Sequence, residues 1–172
     1  KNVFELALSQ QVAVVLVTSI CAYGDAIQRN ICHEDVVFGV GQGPYGRAKQ
    51  GQEALAKSYA SRGVQVCVVR PANIFGPGSG PWVIDAAAAL RDGLPALIGG
   101  GLGNAALAGV DNVADFMIHA AMHTEAWGKA FHVHDDLNVT WSRYFNDLAK
   151  LVDAKPPKSI PRRSEERRVG KS

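Results

Sequence analysis

Tyr45 and Lys49, in Pro44-Tyr-Gly-Arg-Ala-Lys49, stand four residues apart. On a helix that spacing puts both side chains on one face, within reach of a single bound molecule. A tyrosine phenol, with an unperturbed pKa of about 10, is a poor acid or base at neutral pH unless a neighbouring cation stabilises its phenolate. Lys49 can supply that charge. Ser19 closes an apolar run and so lies at the carboxyl edge of a strand, where open α/β sheets place their ligand crevice. A hydroxyl there can hold the substrate oxygen that Tyr45 protonates or deprotonates, although a serine at a strand end also serves as an ordinary turn residue. No Gly-x-Ser-x-Gly elbow surrounds Ser19, which argues against a serine hydrolase.

Other groups could ligate a metal. His119 and His123 are four apart on an expected helix, and His132 and His134 alternate on an expected strand. Neither pair brings a third ligand or a catalytic glutamate, so no metal is expected and the histidines read as ordinary core or surface residues.

These side chains need a frame. Gln11 to Thr18 (QVAVVLVT) is an almost unbroken β-branched run, the pattern of a strand buried on both faces. Pro44 suits the first turn of a helix, good helix formers continue to Tyr59, and Gly63 stops them. Val64 to Val69 (VQVCVV) is a second strand. Strand, helix and strand in this order make a βαβ unit with a parallel sheet. The class is α/β. Val3, Leu6 and Ala7 have helical spacing with no cap before them, so the chain reads as starting inside a helix. Downstream, the pattern predicts an Ala-rich helix over 81–92, a strand over 96–98, a helix over 112–123, a strand over 129–134 and an amphipathic helix over 140–152.

The composition is that of a globular domain. The chain has 172 residues, 47% of them hydrophobic and 20% charged, with a formal net charge of +2. Residues 163–171 carry four basic and two acidic side chains, and the remainder is electrically balanced. Nothing here suits nucleic acid or an anionic membrane, and the expected partner is a small-molecule substrate. Cys21, Cys32 and Cys67 form no Cys-x-x-Cys pair and no even disulfide framework. A reduced, cytoplasmic setting is expected.

Three stretches together resemble the extended short-chain dehydrogenase/reductase family, which includes NAD-dependent epimerases and dehydratases and hydroxysteroid-type dehydrogenases. They are Val17-Thr-Ser-Ile-Cys-Ala-Tyr-Gly24, Pro44-Tyr-Gly-Arg-Ala-Lys49 and Val69-Arg-Pro-Ala-Asn-Ile-Phe-Gly-Pro77, supported by Val110-Asp-Asn-Val-Ala-Asp115. The resemblance covers about residues 1 to 155. It implies a partial Rossmann-like, doubly wound parallel sheet with a small α/β substrate-binding lobe. It also implies that Tyr45 is the general acid/base, that Lys49 binds the cofactor ribose and stabilises the phenolate, and that Ser19 orients the substrate. Ala72 and Asn73 fall where the family contacts nicotinamide and substrate, while Arg70 and Pro71 fix that loop. The implied cofactor is NAD or NADP. The implied reaction is oxidation, reduction or epimerisation at a hydroxyl or carbonyl carbon of a nucleotide-sugar or sterol-like molecule, by hydride transfer. A non-catalytic sensor that keeps the dinucleotide fold is the alternative, and the retained Ser19, Tyr45 and Lys49 speak against it. The family's homodimers imply one here, with the Tyr45 helix contributing.

Two departures qualify the match. The family's glycine-rich cofactor loop is not in the chain, and Gly101-Leu-Gly103-Asn-Ala-Ala106 imitates it without a helix to follow. The sequence therefore reads as the carboxyl-terminal part of an enzyme, inactive in isolation. The dehydratases' acidic pair after the hydroxyl residue is replaced by Ser19-Ile-Cys21, which disfavours dehydration. The expected organisation is residues 1–80 as half of a dinucleotide-binding domain and 81–155 as mainly the substrate lobe, with 129–134 able to return to the sheet. Residues 156–172 are expected to be a disordered tail, of which 163–171 resemble a translated sequencing adapter.

Overall fold

The computed structural model describes residues 1–29 and 33–161, so Cys32 and residues 163–171 lie outside it. In chain order the helices are α1 (Asn2–Gln10), α2 (Gly43–Ala60), α3 (Asp85–Arg91), α4 (Val110–Met122) and α5 (Trp141–Leu151). The strands are β1 (Val14–Val17), β2 (Val66–Pro71), β3 (Asn73–Phe75), β4 (Ala96–Ile98), β5 (Leu107–Gly109), β6 (Ala130–Val133) and β7 (Lys158–Ile160). The chain divides into two compact units, one of residues 1–72 with 111–134, the other of residues 73–110 with 135 onward.

The first unit is built on a parallel sheet in the order β1-β2-β6. Val14 pairs with Val66 and Val17 with Val69, while Val68 pairs with Ala130 and Pro71 with Val133. Five of the six residues of β2 are buried, as its central place requires. The β-branched run before Ser19 behaves differently: only Val14–Val17 are strand and all four are half-buried. Among the described residues no strand pairs with the outer edge of β1, and that loss of cover explains the difference. Helix α2 starts with Pro in its first turn and ends three residues before Gly63, whose φ is 101°. Its inner face joins α1 and the sheet in a core of Phe4, Ala7, Ala56, Tyr59, Val64 and Val66. On α4, Val113 and Ala120 are buried, and Phe116 meets Phe131 of β6 edge-on at 5.5 Å.

The second unit holds the parallel pairs β3-β5 and β4-β7 and a core of Ala86, Leu90, Leu148 and Ala149. The Ala-rich helix begins as a wide turn over Gly80–Ile84 before α3 proper. The Ser79 hydroxyl donates to Ile74 O at 2.9 Å and does not cap the helix. Thr140 does cap α5, its hydroxyl accepting from the Arg143 N–H at 3.1 Å. Gly99, Gly100 and Gly101 all have positive φ and form a tight turn after β4. The chain then enters β5, and α4 opens only at Val110. The strand, glycine turn and helix succession of a pyrophosphate site is not formed there.

Candidate active site

β1 ends at Val17, and its ladder extends by one bond, from the Thr18 N–H to Val69 O at 2.8 Å. Thr18 and Ser19 are both buried at this carboxyl edge. The Ser19 hydroxyl accepts from the Cys21 N–H at 3.1 Å, which opens a 3₁₀ segment over Ile20–Arg29. The segment is broken at Gly24 (φ 61°, ψ −136°), where a Cβ would come within 2.3 Å of Val40 O. Gly24 is therefore fixed by close backbone approach, with the Asp25 carboxylate holding the Val40 N–H at 2.9 Å.

Helix α2 crosses this edge. Lys49 Nζ lies 3.5 Å from Val17 O and 5.4 Å from the centroid of the Tyr45 ring. The structure thus brings Tyr45 and Lys49 together and sets Lys49 against the strand end next to Ser19. Tyr45 is 57% exposed, so its phenol is open to an incoming molecule. An ammonium carries three donors, and Val17 O takes one at a long distance. That donor set fits the vicinal hydroxyls of a ribose. Ala72 follows β2, its N–H donating to Val133 O at 3.0 Å. Asn73 opens the second unit, where its side-chain amide donates to Ala105 O at 2.7 Å. That bond holds the loop before β5.

Behind the Tyr45 and Lys49 face lies a polar network that the sequence reading missed apart from Arg70. The Glu53 carboxylate accepts from Arg70 Nε at 3.0 Å, from Arg70 Nη2 at 2.8 Å and from the Thr18 hydroxyl at 2.7 Å. Arg70 Nη1 donates to Tyr23 Oη at 2.6 Å and to Glu34 O at 2.9 Å, and Tyr23 Oη donates in turn to His33 O at 3.1 Å. Burial disfavours the Arg70 charge, but the hydrogen bonds and charge of Glu53, with help from Tyr23, outweigh it and raise the guanidinium pKa. Glu53 was visible as the next position, four residues on, of the Tyr45 and Lys49 stripe. Nothing in the sequence pairs it with Arg70.

His132 lies at the rim of this network, edge-on to Tyr23 at 4.9 Å. Burial pushes its pKa below the usual histidine range, although the Glu34 charge pulls the other way. Glu34 is itself held low by the hydrogen bond it accepts from the His132 N–H. His119 and His123 face each other with ring centroids 4.0 Å apart. Among the described residues no group of three or more His, Cys, Asp or Glu is placed to hold a metal. A groove of about 470 Å³ lies between α2, β2 and β6, lined by residues such as Phe38, Ala54, Val66 and Val68. Ser19, Tyr45 and Lys49 are not in its wall, so it is not the candidate site.

Among the described residues no helix is long and apolar enough to cross a membrane. No curated protein matches the chain. Solved structures do. A UDP-glucuronic acid 4-epimerase from Bacillus cereus, in complex with NAD, aligns with a TM-score of 0.74 at 13% identity, over 92% of this chain and 53% of that one. A UDP-glucose 4-epimerase from Thermotoga maritima, with UDP-glucose, gives 0.70 at 22% identity over 92% and 53%. A dTDP-glucose 4,6-dehydratase from Bacillus anthracis, in complex with NAD, gives 0.71 at 18% identity over 92% and 53%. These likenesses establish the Rossmann-like α/β fold, and the chain spans about half the length of each. The sequence model of the NAD dependent epimerase/dehydratase family matches residues 1–156, and the chain belongs to that family.

Proposed function

We propose that this chain carries the proton-transfer side of an NAD-dependent enzyme that oxidises and reduces a carbinol carbon of a nucleotide sugar, as an epimerase or dehydrogenase. The observation that carries the reading is the position of Lys49 Nζ, 3.5 Å from the end of β1 and 5.4 Å from the Tyr45 ring. It sets a cation beside an exposed phenol at the carboxyl edge of a parallel sheet, the edge where such sheets bind ligands. Tyr45 takes the proton from the substrate hydroxyl as the carbinol is oxidised and returns it on reduction. Lys49 stabilises the phenolate and binds the ribose, and Ser19 holds the substrate oxygen. NAD, when bound, would supply the hydride acceptor for the carbinol carbon and, in an epimerase, the hydride donor for the return step.

The nucleotide-sugar class is supported by the family and by the UDP-glucose bound in the Thermotoga maritima relative. Epimerase or dehydrogenase chemistry is preferred to dehydration because Ser19-Ile20-Cys21 offers no carboxylate. Residues 1–80 would serve the cofactor half and 81–155 mainly the substrate lobe, with residues 111–134 in the unit that holds the sheet. Ala72 would meet the nicotinamide and Asn73 the substrate. In the enzyme that carries this chain, Tyr45→Phe should lower kcat by about 10²- to 10⁴-fold and leave NAD affinity within about twofold. Wild-type turnover in Tyr45→Phe would remove the assignment.

A further inference from the structure

We infer that Glu53, joined to Arg70 and Thr18, is a positioning residue that sets where α2 presents Tyr45 and Lys49 along the end of β1. The inference rests on the acid/base reading of Tyr45 given above and names side chains that reading does not use.

Tyr45, Lys49 and Glu53 stand at i, i+4 and i+8 of one helix, so their side chains form a single stripe. Lys49 reaches the strand end, Tyr45 stands beside it one turn earlier, and Glu53 is held one turn later by Thr18 and Arg70. Glu53 and Arg70 are buried, with side-chain exposures of 9% and 7%, and they meet through two parallel N–H···O bonds. A forked pair of this kind has one good geometry, whereas apolar packing tolerates sliding. Buried ion pairs are also weak sources of stability compared with apolar residues of the same volume. Fixed geometry is what this one supplies.

The network touches every element that builds the site. Thr18 Oγ1, on the residue before Ser19, donates to Glu53 at 2.7 Å and ties α2 to the end of β1. Arg70 ties it to β2, and through Tyr23 and Glu34 O to the segment after Ser19. Gln50, on the same helix, adds bonds to Ala22 O and Gly39 O at 2.8 Å each. One residue of helical slip would shift Tyr45 by about 1.5 Å and rotate it by about 100°. Displacements of about 1 Å cost reacting groups up to about 10²-fold in rate.

The test is Thr18→Val in the enzyme that carries this chain, which removes one hydroxyl and keeps the shape. Expected are a fall in kcat of about tenfold, KM values for substrate and NAD within about twofold, and recovery by Thr18→Ser to within about threefold of wild type. Unchanged kcat in Thr18→Val, or no recovery in Thr18→Ser, overturns the inference. A second arm replaces the buried pair with apolar residues, Glu53→Leu with Arg70→Met, where a folded protein with depressed kcat is expected. Wild-type kcat in that double variant also overturns it. Tyr45→Phe runs beside them: if it is inactive while Thr18→Val is fully active, only the positioning role falls. If Tyr45→Phe is fully active, the acid/base reading falls instead.

Discussion

The ring of Phe4 stacks on that of Tyr59, with centroids 5.2 Å apart and planes 17° from parallel. Both residues are buried, and the Tyr59 hydroxyl continues outward to donate to the Glu5 carboxylate. This contact fastens α1 to the carboxyl-terminal half of the helix that bears Tyr45. Phe4→Ala should cost about 3 kcal/mol of stability, read as a lower urea midpoint at unchanged slope. Glu5→Gln should cost far less, because its other partner, Arg62, lies at the surface with it.

Removing one member of the buried ion pair leaves the other charged and unpaired. Arg70→Met alone should destabilise by about 3–5 kcal/mol, and Glu53→Leu in the same chain should recover most of that. A double-mutant cycle by chemical denaturation measures the coupling, and additive single effects would show that the two charges do not depend on each other.

His132 gives stability a pH dependence whose sign follows from its environment. Its pKa is lowered in the fold, chiefly by burial, so below the ordinary histidine value of about 6.5 the unfolded chain binds protons more readily than the folded one. Stability should fall as the pH drops below that value. Glu34, whose pKa is also lowered, adds a separate loss at more acid pH, below the usual carboxylate range. His132→Phe keeps a ring against Tyr23 and removes a buried Nε2 with no hydrogen-bond partner among the described residues. It should flatten the first loss and leave the second, in denaturation midpoints measured from pH 7 to about pH 2.

Two glycines with almost the same φ should respond differently to alanine. At Gly24 the new Cβ would sit 2.3 Å from Val40 O, and a backbone atom cannot step aside cheaply. At Gly43, φ 66°, a Cβ would meet nothing within 4 Å among the described residues outside its own helical turn. Gly43→Ala should cost only the left-handed conformation, about 1 kcal/mol. Gly24→Ala should cost roughly twice that or more and make residues 20–29 more susceptible to protease.

What the sequence disclosed follows from range. The spacing of Tyr45 and Lys49 is set by one helical turn, and the strand before Ser19 by an apolar run, both local signals. The parallel pairing of β1 and β2 follows from the single helix between them. The union of Glu53 with Thr18 and Arg70 spans 35 and 17 residues respectively, and no local pattern encodes contacts at that distance. The same applies to β3-β5 and β4-β7, strands of three residues whose partners lie far along the chain. Asn73 shows both ranges. Its place in a family motif implies a ligand contact, a local signal, while the bond from its amide to the carbonyl of Ala105, 32 residues away, is legible only in the fold.

The outer edge of β1 has a practical consequence for anyone handling this polypeptide. Val14, Val15, Leu16 and Val17 form a short apolar ribbon, and among the described residues no strand takes up its outer backbone groups. Such an edge is a template for recruiting further β-strands, including those of neighbouring copies. In concentrated solution the polypeptide should be prone to self-association through this ribbon. A lysine at Val15 would act as a gatekeeper, improving colloidal behaviour without touching Tyr45, Lys49 or Ser19.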